Sequence, residues 1–421
     1  MRAEIIAVGS ELLTPFRQDT NSLWLTSELN KLGIRVAHKS IVGDDPADMR
    51  SSFSQALERA DVIVSCGGLG PTDDDRTRET VAELLDRKLQ LNEQILHGIQ
   101  ERFRRFARAM PEINARQAMV PEGATILPNS KGTAPGLWLE ARGKIVVLLP
   151  GVPVELKALF ENEVRPRLAR VAPAERLHTR DLRIYGLPES EVEMRVRPLY
   201  ALYPDTETTI LSALTGIQLH PRIWSANATQ AAALLDEIVT RMALALGENL
   251  YSKHGELLEE VVARILTENR ATVAIAESCT GGMVAEKLTN IAGSSAYFLG
   301  DVVCYSNELK TLLVGVPAEI IEAKGAVSSE VALALADGIR RRTGATIGIG
   351  ITGIAGPGGG TPEKPVGLVH IGISDSHGPR ERRYQFTGDR DRIRTFAAYT
   401  ALDTIRRHFL FPASATTPHP R

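Results

Sequence analysis

The sequence predicts an α/β protein: two α/β domains joined by a small α+β domain. Three observations predict it. Over residues 1–172, short apolar runs ended by glycine alternate with amphipathic stretches, the rhythm of βαβ units around a mainly parallel sheet. At VAPAERLHT the composition shifts, and residues 173–252 hold a strand, a helix, less regular strands and a second helix. From about Gly255 the strand–helix rhythm resumes and runs to residue 409.

The elements follow in order. EIIAVG is a strand closed by glycine. DTNSLWLTSELNKLG is an amphipathic helix, with Asp19 as N-cap and Gly33 as the C-terminal stop. IRVAHKSIVG, PADMRSSFSQALERA and DVIVSCGG repeat strand, helix and strand, GLWLEARGKIVVLLPG reads as a hairpin, and VPVELKALFENEVRPRL closes the first domain. In the middle, TRDLRIYGL is a strand, and ESEVEMRVRPLY and ATQAAALLDEIVTRMALALG are helices. In the last domain ELLEEVVARILTENR is a helix, ATVAIAES a strand that passes into a helix from CTGGMVAEKLTNIA, and DVVCYS, ATIGIGITG and VGLVHIGIS further strands. DRIRTFAAYTALDTIRRHF closes the domain, and residues 410–421, polar and proline-containing, are expected to be disordered.

Composition excludes several classes. The chain of 421 residues is 43% hydrophobic and 24% charged with a formal net charge of −2, so no global basic excess attracts nucleic acid or anionic lipid. No apolar run approaches the ~20 residues that span a bilayer, and the opening MRAEIIAVGS has no secretory-signal pattern, so a cytoplasmic location is expected. The three cysteines form no CxxC, and no HExxH pair is present, which argues against a disulfide framework and a structural zinc site.

Two loops carry chemistry. GGLGPTDDD, at 67–75, follows a strand at the carboxyl edge where open α/β sheets bind ligands. Gly67, Gly68 and Gly70 let backbone N–H groups approach phosphate oxygens, while the aspartates call for a divalent cation bridging protein and diphosphate. The alternative is a solvated turn whose aspartates cap the helix TRETVAELLD. AESCTGG, at 276–282, ends one strand and opens a helix, placing a hydroxyl near unsatisfied N–H groups able to hold an oxyanion. Ser278 is a candidate nucleophile there; the alternative is that Ser278 or Thr280 caps the helix. G-x-S-x-G, S-x-x-K and a Ser-His-Asp order are absent.

VGSELL, DTN, VGDD, GGLGPTDDD, NARQAMVPEGATILPN, GTAPG and LLPGVPVELK, in that order, resemble the competence/damage-inducible CinA family, and the likeness reaches about residue 408. It implies a molybdopterin-binding-like (MoaB/MogA-like) first domain associated with metal-dependent hydrolysis of ADP-ribose to AMP and ribose 5-phosphate. A divalent ion, Mg, Mn or Co, would sit at Asp74 and Asp75, which match the family's paired aspartates; Asp73 falls at its variable position. Implied substrate-binding residues are Ser10, Asn21, Gly67, Gly68, Gly70, Thr72, Gly136 and Glu155, with Glu155 alternatively a helix cap. GSELL stands where GTELL is usual and TPFRQ replaces a glycine-containing stretch, which reshapes this edge. No Nudix signature is present.

ESCTGG, AGSS, YSNELK, GAVSSE, TGIAGPGGGTPEKPVG and GDRDRIR resemble the PncC-like nicotinamide mononucleotide deamidase domain. The resemblance implies a Ser/Lys amidohydrolase without cofactor, releasing nicotinic acid mononucleotide and ammonia. Lys310 would be the base, Tyr305 a proton relay or amide-orienting group, and Ser278 the nucleophile, with Ser295 as rival; Cys279 reads as a packed thiol. Glu277, Thr280, Gly281, Gly282 and Asn307 complete the expected binding surface. Gly348, Gly350 and Gly353 spell G-x-G-x-x-G, but no helix follows. The loop instead reads as ligand-wrapping, with Thr352, Gly353 and Gly356 at ribose or phosphate and Arg390 and Arg394 as bidentate donors. A solvated helix start is the alternative for the two arginines.

The middle domain resembles the family's KH-type unit but lacks a GXXG loop, so it reads as a spacer or dimerisation element, without direct nucleic-acid binding. The expected partners are small nucleotides and a second copy of the chain in a homodimer, and no membrane. Two other readings stand: a competence- or DNA-damage-linked nucleotide-binding accessory protein, and a pterin- or flavin-related nucleotidyl enzyme in the first domain.

Overall fold

The computed structural model describes residues 1–411 and is mixed α/β with three main sheets. It divides into two compact units: Met1–His178 with Trp224–Ala231, and Thr179–Ile223 with the residues from Ala232 onward. The expected disordered tail lies outside the described residues from 412 on; Leu410 still belongs to the last helix.

In the first unit the sheet order is Arg35–Val42, Arg2–Val8, Val62–Cys66, Lys144–Leu149, Gly136–Ala141, Thr125–Leu127. The first three pairings are parallel and the last two antiparallel, so the expected hairpin forms the far side of the sheet. The inner parallel strands are largely apolar on both faces because helices cover both, whereas the edge strand Arg35–Val42 is mostly polar and half-exposed. Ile5, Val64 and Val147 pack with Leu25, Leu29 and Phe160 on one side; Ile6, Ile63 and Leu148 pack with Met49, Phe53 and Val81 on the other. Every loop leaving a parallel strand therefore emerges at one edge: Gly9 after Val8, Gly43 after Val42, Gly67 after Cys66 and Pro150 after Leu149. Asp19 accepts from Ser22 N at 3.0 Å, capping the helix Asn21–Lys31 one residue before its N-cap, and Gly33 ends it at φ +81°.

In the second unit the small region carries the antiparallel strands Leu182–Ile184, Glu207–Ala213, Gly216–Ser225 and Leu250–Ser252 over a core of Ile184, Val192, Leu219, Ile238 and Met242. It is fastened to the C-terminal region by polar contacts: Tyr185 Oη donates to Phe396 O at 3.1 Å and lies 2.9 Å from Thr400 Oγ1, and buried Arg406 donates to Glu248 O at 2.7 Å. The C-terminal sheet runs Phe298–Val303, Val273–Glu277, Ile347–Gly353, Leu368–Asp375, Gly378–Gln385; the first two pairings are parallel, the others antiparallel. Its edge strand Gly378–Gln385 escaped the sequence reading because GPRERRYQ is polar; its alternate residues face opposite sides of the sheet. No helix among the described residues is long and apolar enough to cross a membrane.

Candidate active sites

Ser278 follows directly on the last residue of the central strand Val273–Glu277. Lys310 stands where the short helix Asn307–Leu309 passes into a π-turn, and is 1% exposed. Its Nζ lies 3.2 Å from Ser278 Oγ, 2.9 Å from Cys304 O and 3.2 Å from Tyr305 O. Burial pushes the Lys310 ammonium below its ordinary pKa. The two carbonyls decide the proton geometry. A neutral amine spends its two N–H groups on Cys304 O and Tyr305 O, which leaves its lone pair toward the Ser278 hydroxyl. That is the arrangement of a general base and its nucleophile.

Around this pair the backbone is held in place. The turn 278–282 precedes a helix that begins only at Met283, with Gly281 and Gly282 at φ +64° and +90°. Glu277, fully buried, accepts from Gly282 N at 2.9 Å and from Val284 N and Ala285 N at 3.0 Å. Arg394 donates to Cys279 O at 3.2 Å and Thr280 O at 2.9 Å, while Arg390 links Gly356 O at 2.8 Å to Tyr305 Oη at 3.1 Å. Cys279 is buried and its thiol pushed up to about 12, which removes it as a thiolate nucleophile.

The first unit's edge is built differently. Gly67 and Gly68 take φ of +108° and +67°, and a Cβ on Gly68 would lie 2.1 Å from Thr77 Oγ1. Thr77 ties the loop down, its hydroxyl donating to Gly67 O at 3.0 Å and its N–H to Gly68 O at 3.2 Å. Asp75 accepts from Thr72 N at 3.0 Å and from the Thr72 hydroxyl. Asp74 is exposed, and the Thr72 hydroxyl and loop N–H groups hold its carboxyl below the usual range. Ser10 and Asp44 close a reciprocal pair, Ser10 N to Asp44 Oδ2 at 2.8 Å and Asp44 N to Ser10 Oγ at 3.1 Å. Asn21 donates to Gly151 O at 2.8 Å.

Two family models match the chain. One, described as the CinA C-terminal domain, covers residues 255–409; the other, a probable molybdopterin binding domain, covers 4–170. A CinA-like protein of Solibacter usitatus is 48% identical over 407 residues, 97% of this chain and 98% of that one. A CinA-like protein of Acidobacterium capsulatum is 48% identical over 414 residues, 97% of this chain and all of the other. A putative competence-damage inducible protein of Acetivibrio thermocellus is 40% identical over 412 residues, 97% and 99% of the two chains. The chain belongs to the CinA family.

Within this CinA-family chain several expected roles change. Glu277 is not a ligand-facing carboxylate: it takes the N–H groups of Gly282, Val284 and Ala285, so those cannot hold an oxyanion. The N–H groups of Cys279, Thr280 and Gly281 are the neighbours of Ser278 that Glu277 does not take. Tyr305 contacts Lys310 through its carbonyl, while its hydroxyl meets Arg390, so it is no direct proton relay from this pair. Thr352 is buried and spends its hydroxyl on Ala326 O at 2.7 Å, and a Cβ on Gly353 would meet Val369 at 2.7 Å; both shape the loop from behind. Gly356 sits at φ +78° beside Arg390. Both arginines bond backbone carbonyls, Arg390 from an exposed position and Arg394 from a half-buried one. Thr280 is buried, Asn307 is exposed on its short helix, and Ser295 is exposed in the turn Ser294–Ala296.

At the other edge, Asp73, Asp74 and Asp75 do not cap the helix Thr77–Leu84, whose N-cap Arg76 makes no side-chain cap bond. Gly70 closes on Asp75, a Cβ there lying 2.3 Å from its carboxylate, and Gly136 is packed between Leu127, Leu148 and Leu149 inside the sheet. These glycines serve the turn and the packing. Glu155 accepts from Asn129 Nδ2 at 2.7 Å and lies against Gly132, so it pins the loop 129–132 and does not cap its own helix. Two residues were missed. Arg116 donates to Thr72 O and Glu79, each at 2.8 Å, and Arg78 is 1% exposed with Nε and Nη2 unpartnered. Lone arginines in helical sequence carry no signal of such placement.

Proposed function

We propose that the C-terminal region is a Ser/Lys amidohydrolase that converts nicotinamide mononucleotide to nicotinic acid mononucleotide and ammonia. The contact that carries this reading is Lys310 Nζ at 3.2 Å from Ser278 Oγ in a buried setting. Ser278 Oγ adds to the carboxamide carbon as its proton passes to Lys310 Nζ. The tetrahedral oxyanion is held by N–H groups of the turn 279–281. Lys310 then protonates the departing nitrogen, the C–N bond breaks and ammonia leaves. Water attacks the acyl ester, gives a proton to Lys310, and the proton returns to Ser278 Oγ as the acid departs. Arg390 and Arg394 place positive charge beside the turn, suited to the substrate phosphate.

The first unit we read as a diphosphate hydrolase acting on ADP-ribose. Among the described residues no group of three or more His, Cys, Asp or Glu side chains is placed to hold a metal. Asp74, exposed, and Asp75, half committed to Thr72, fit only a cation that completes its shell with water and substrate oxygens, the habit of Mg²⁺. Such an ion supplies neutralisation of the diphosphate and an acidified water. The chain's own part is to present Asp74 and Asp75 at the strand edge and to balance their charge with Arg78 and Arg116. Ammonia release from nicotinamide mononucleotide without metal, and AMP release from ADP-ribose only with metal, test the two readings. A pure protein that does neither overturns them.

A further inference from the structure

The helix Arg390–Leu410 presents two faces to two places. Its first turn gives Arg390 and Arg394 to the Ser278 turn. A second stripe, Arg392, Phe396, Thr400, Asp403 and Arg407, spaced three or four apart and so on one face, lines a separate cavity of about 910 Å³. None of Ser278, Lys310, Arg390 and Arg394 is among its lining residues.

The sheet forms the floor. Arg382 pairs with Ile371 and Arg380 with Ile373 across the last two strands. Arg380, Glu381, Arg382 and Tyr384 all line the cavity, the Glu381 carboxylate being already engaged by Ser329 and His370. The small region closes the other side through Leu187 and Leu214.

Size, shape and charge each narrow the occupant. The volume falls in the ~300–1,000 Å³ range of small-ligand sites. Tyr384 and Phe386 stack at 5.6 Å with a 5° interplanar angle, and Phe386 meets Phe396 at 5.8 Å, so flat surfaces line one wall. Arg392 covers the Phe396 ring at 5.0 Å. Among the lining groups, Asp403 is already bonded by Arg406 and Arg407, while Arg380 Nε and Arg407 Nη2 are buried with no acceptor. A buried guanidinium N–H without an acceptor is unfavourable, and an anion at this wall would relieve it after a small rotation of either side chain. We propose that this cavity is a second binding site, taking a small ligand made of a planar aromatic ring and one anionic group.

The test uses the full chain and 1-naphthyl phosphate, followed by calorimetry. One site per chain is expected, retained in Ser278→Ala. Arg380→Met and Arg407→Met should each weaken it at least tenfold, and 1-naphthol, lacking the anion, should bind at least tenfold more weakly than the phosphate. Ala213→Trp fills the lining without touching either arginine, so it decides the matter if an arginine variant fails to fold; it too should abolish binding. Indifference to all three substitutions, or no binding to the wild-type chain, as when a second copy covers the cavity, overturns the proposal. Adenosine monophosphate in place of the probe distinguishes a mononucleotide from a simpler aromatic acid.

Discussion

The two candidate sites solve opposite problems. Around Ser278 the carboxylate and the ammonium are buried and already partnered, Glu277 by three backbone N–H groups and Lys310 by two carbonyls, while half-buried Arg394 bonds two more. Around Asp74 the carboxylates reach solvent, and the loop's internal bonds hold its shape only. A preorganised site suits a neutral amide and needs nothing added. An open acidic edge suits an anionic diphosphate only with a counter-charge from outside. The difference teaches that burial, more than residue type, separates a metal-free reading from a metal-dependent one.

The largest effect that would break the comparison is at the buried pair. Ser278→Ala and Lys310→Ala should each lower amide hydrolysis by roughly 10⁴-fold or more, with the double variant little worse, because the pair acts as a unit. ADP-ribose cleavage should stay intact in the same preparations; if it falls equally, the two sites are not independent. Next, Asp74→Asn should lower metal-dependent ADP-ribose cleavage by roughly a hundredfold or more and leave ammonia release unchanged. Steady-state rates with and without added Mg²⁺ read both.

The pH dependence sharpens the contrast. Amide hydrolysis should rise with pH and level off at a pKa below the ordinary lysine value, because only neutral Lys310 accepts the serine proton. Stability has a separate signature. Asp301, half-buried beside Glu277, has its carboxyl raised to about 7 by desolvation and then by that neighbour. Between its unfolded value of about 4 and that value the folded state binds more protons, so stability falls as pH rises through this window. Asp301→Asn should remove that slope and raise the Tm at pH 8 by a few degrees or so, read by calorimetry.

Two smaller effects probe the frame. A fragment from Gly255 loses the Glu248 acceptors of Arg406 and Arg407 and the Tyr185 contact to Thr400. It should deamidate without metal but melt several degrees or so below a fragment from Thr179 that keeps them. Smallest of all, Ser295→Ala should change the deamidation rate by less than about twofold, since Ser295 is exposed in its own turn and makes no contact with Lys310.

The sequence was most legible where chain-local physics rules. Alternating apolar runs and glycine stops announce the parallel strands, and the strand end at Glu277 places Ser278 at a sheet edge. The helix start was misjudged because CTGG reads as an opening turn, whereas Gly281 and Gly282 at positive φ delay the helix to Met283. The role of Glu277 depends on where its side chain folds back, and Thr352 on a carbonyl 26 residues away; neither distance is written in spacing. Arg78 and the strand Gly378–Gln385 fail for the same reason: polar residues report burial only through their tertiary neighbours.

The buried cysteines have a practical meaning. Cys66 lies at the end of the strand leading into GGLGPTDDD, with its thiol near 12, while Cys279 adjoins Ser278 and Cys304 accepts from Lys310 through its carbonyl. All three are shielded and poorly ionised at neutral pH, so alkylation of the folded chain must wait for local opening. Labelling rates resolved by peptide would then act as clocks, one set in each unit, timing how often each candidate edge comes apart without altering Ser278, Lys310 or Asp74.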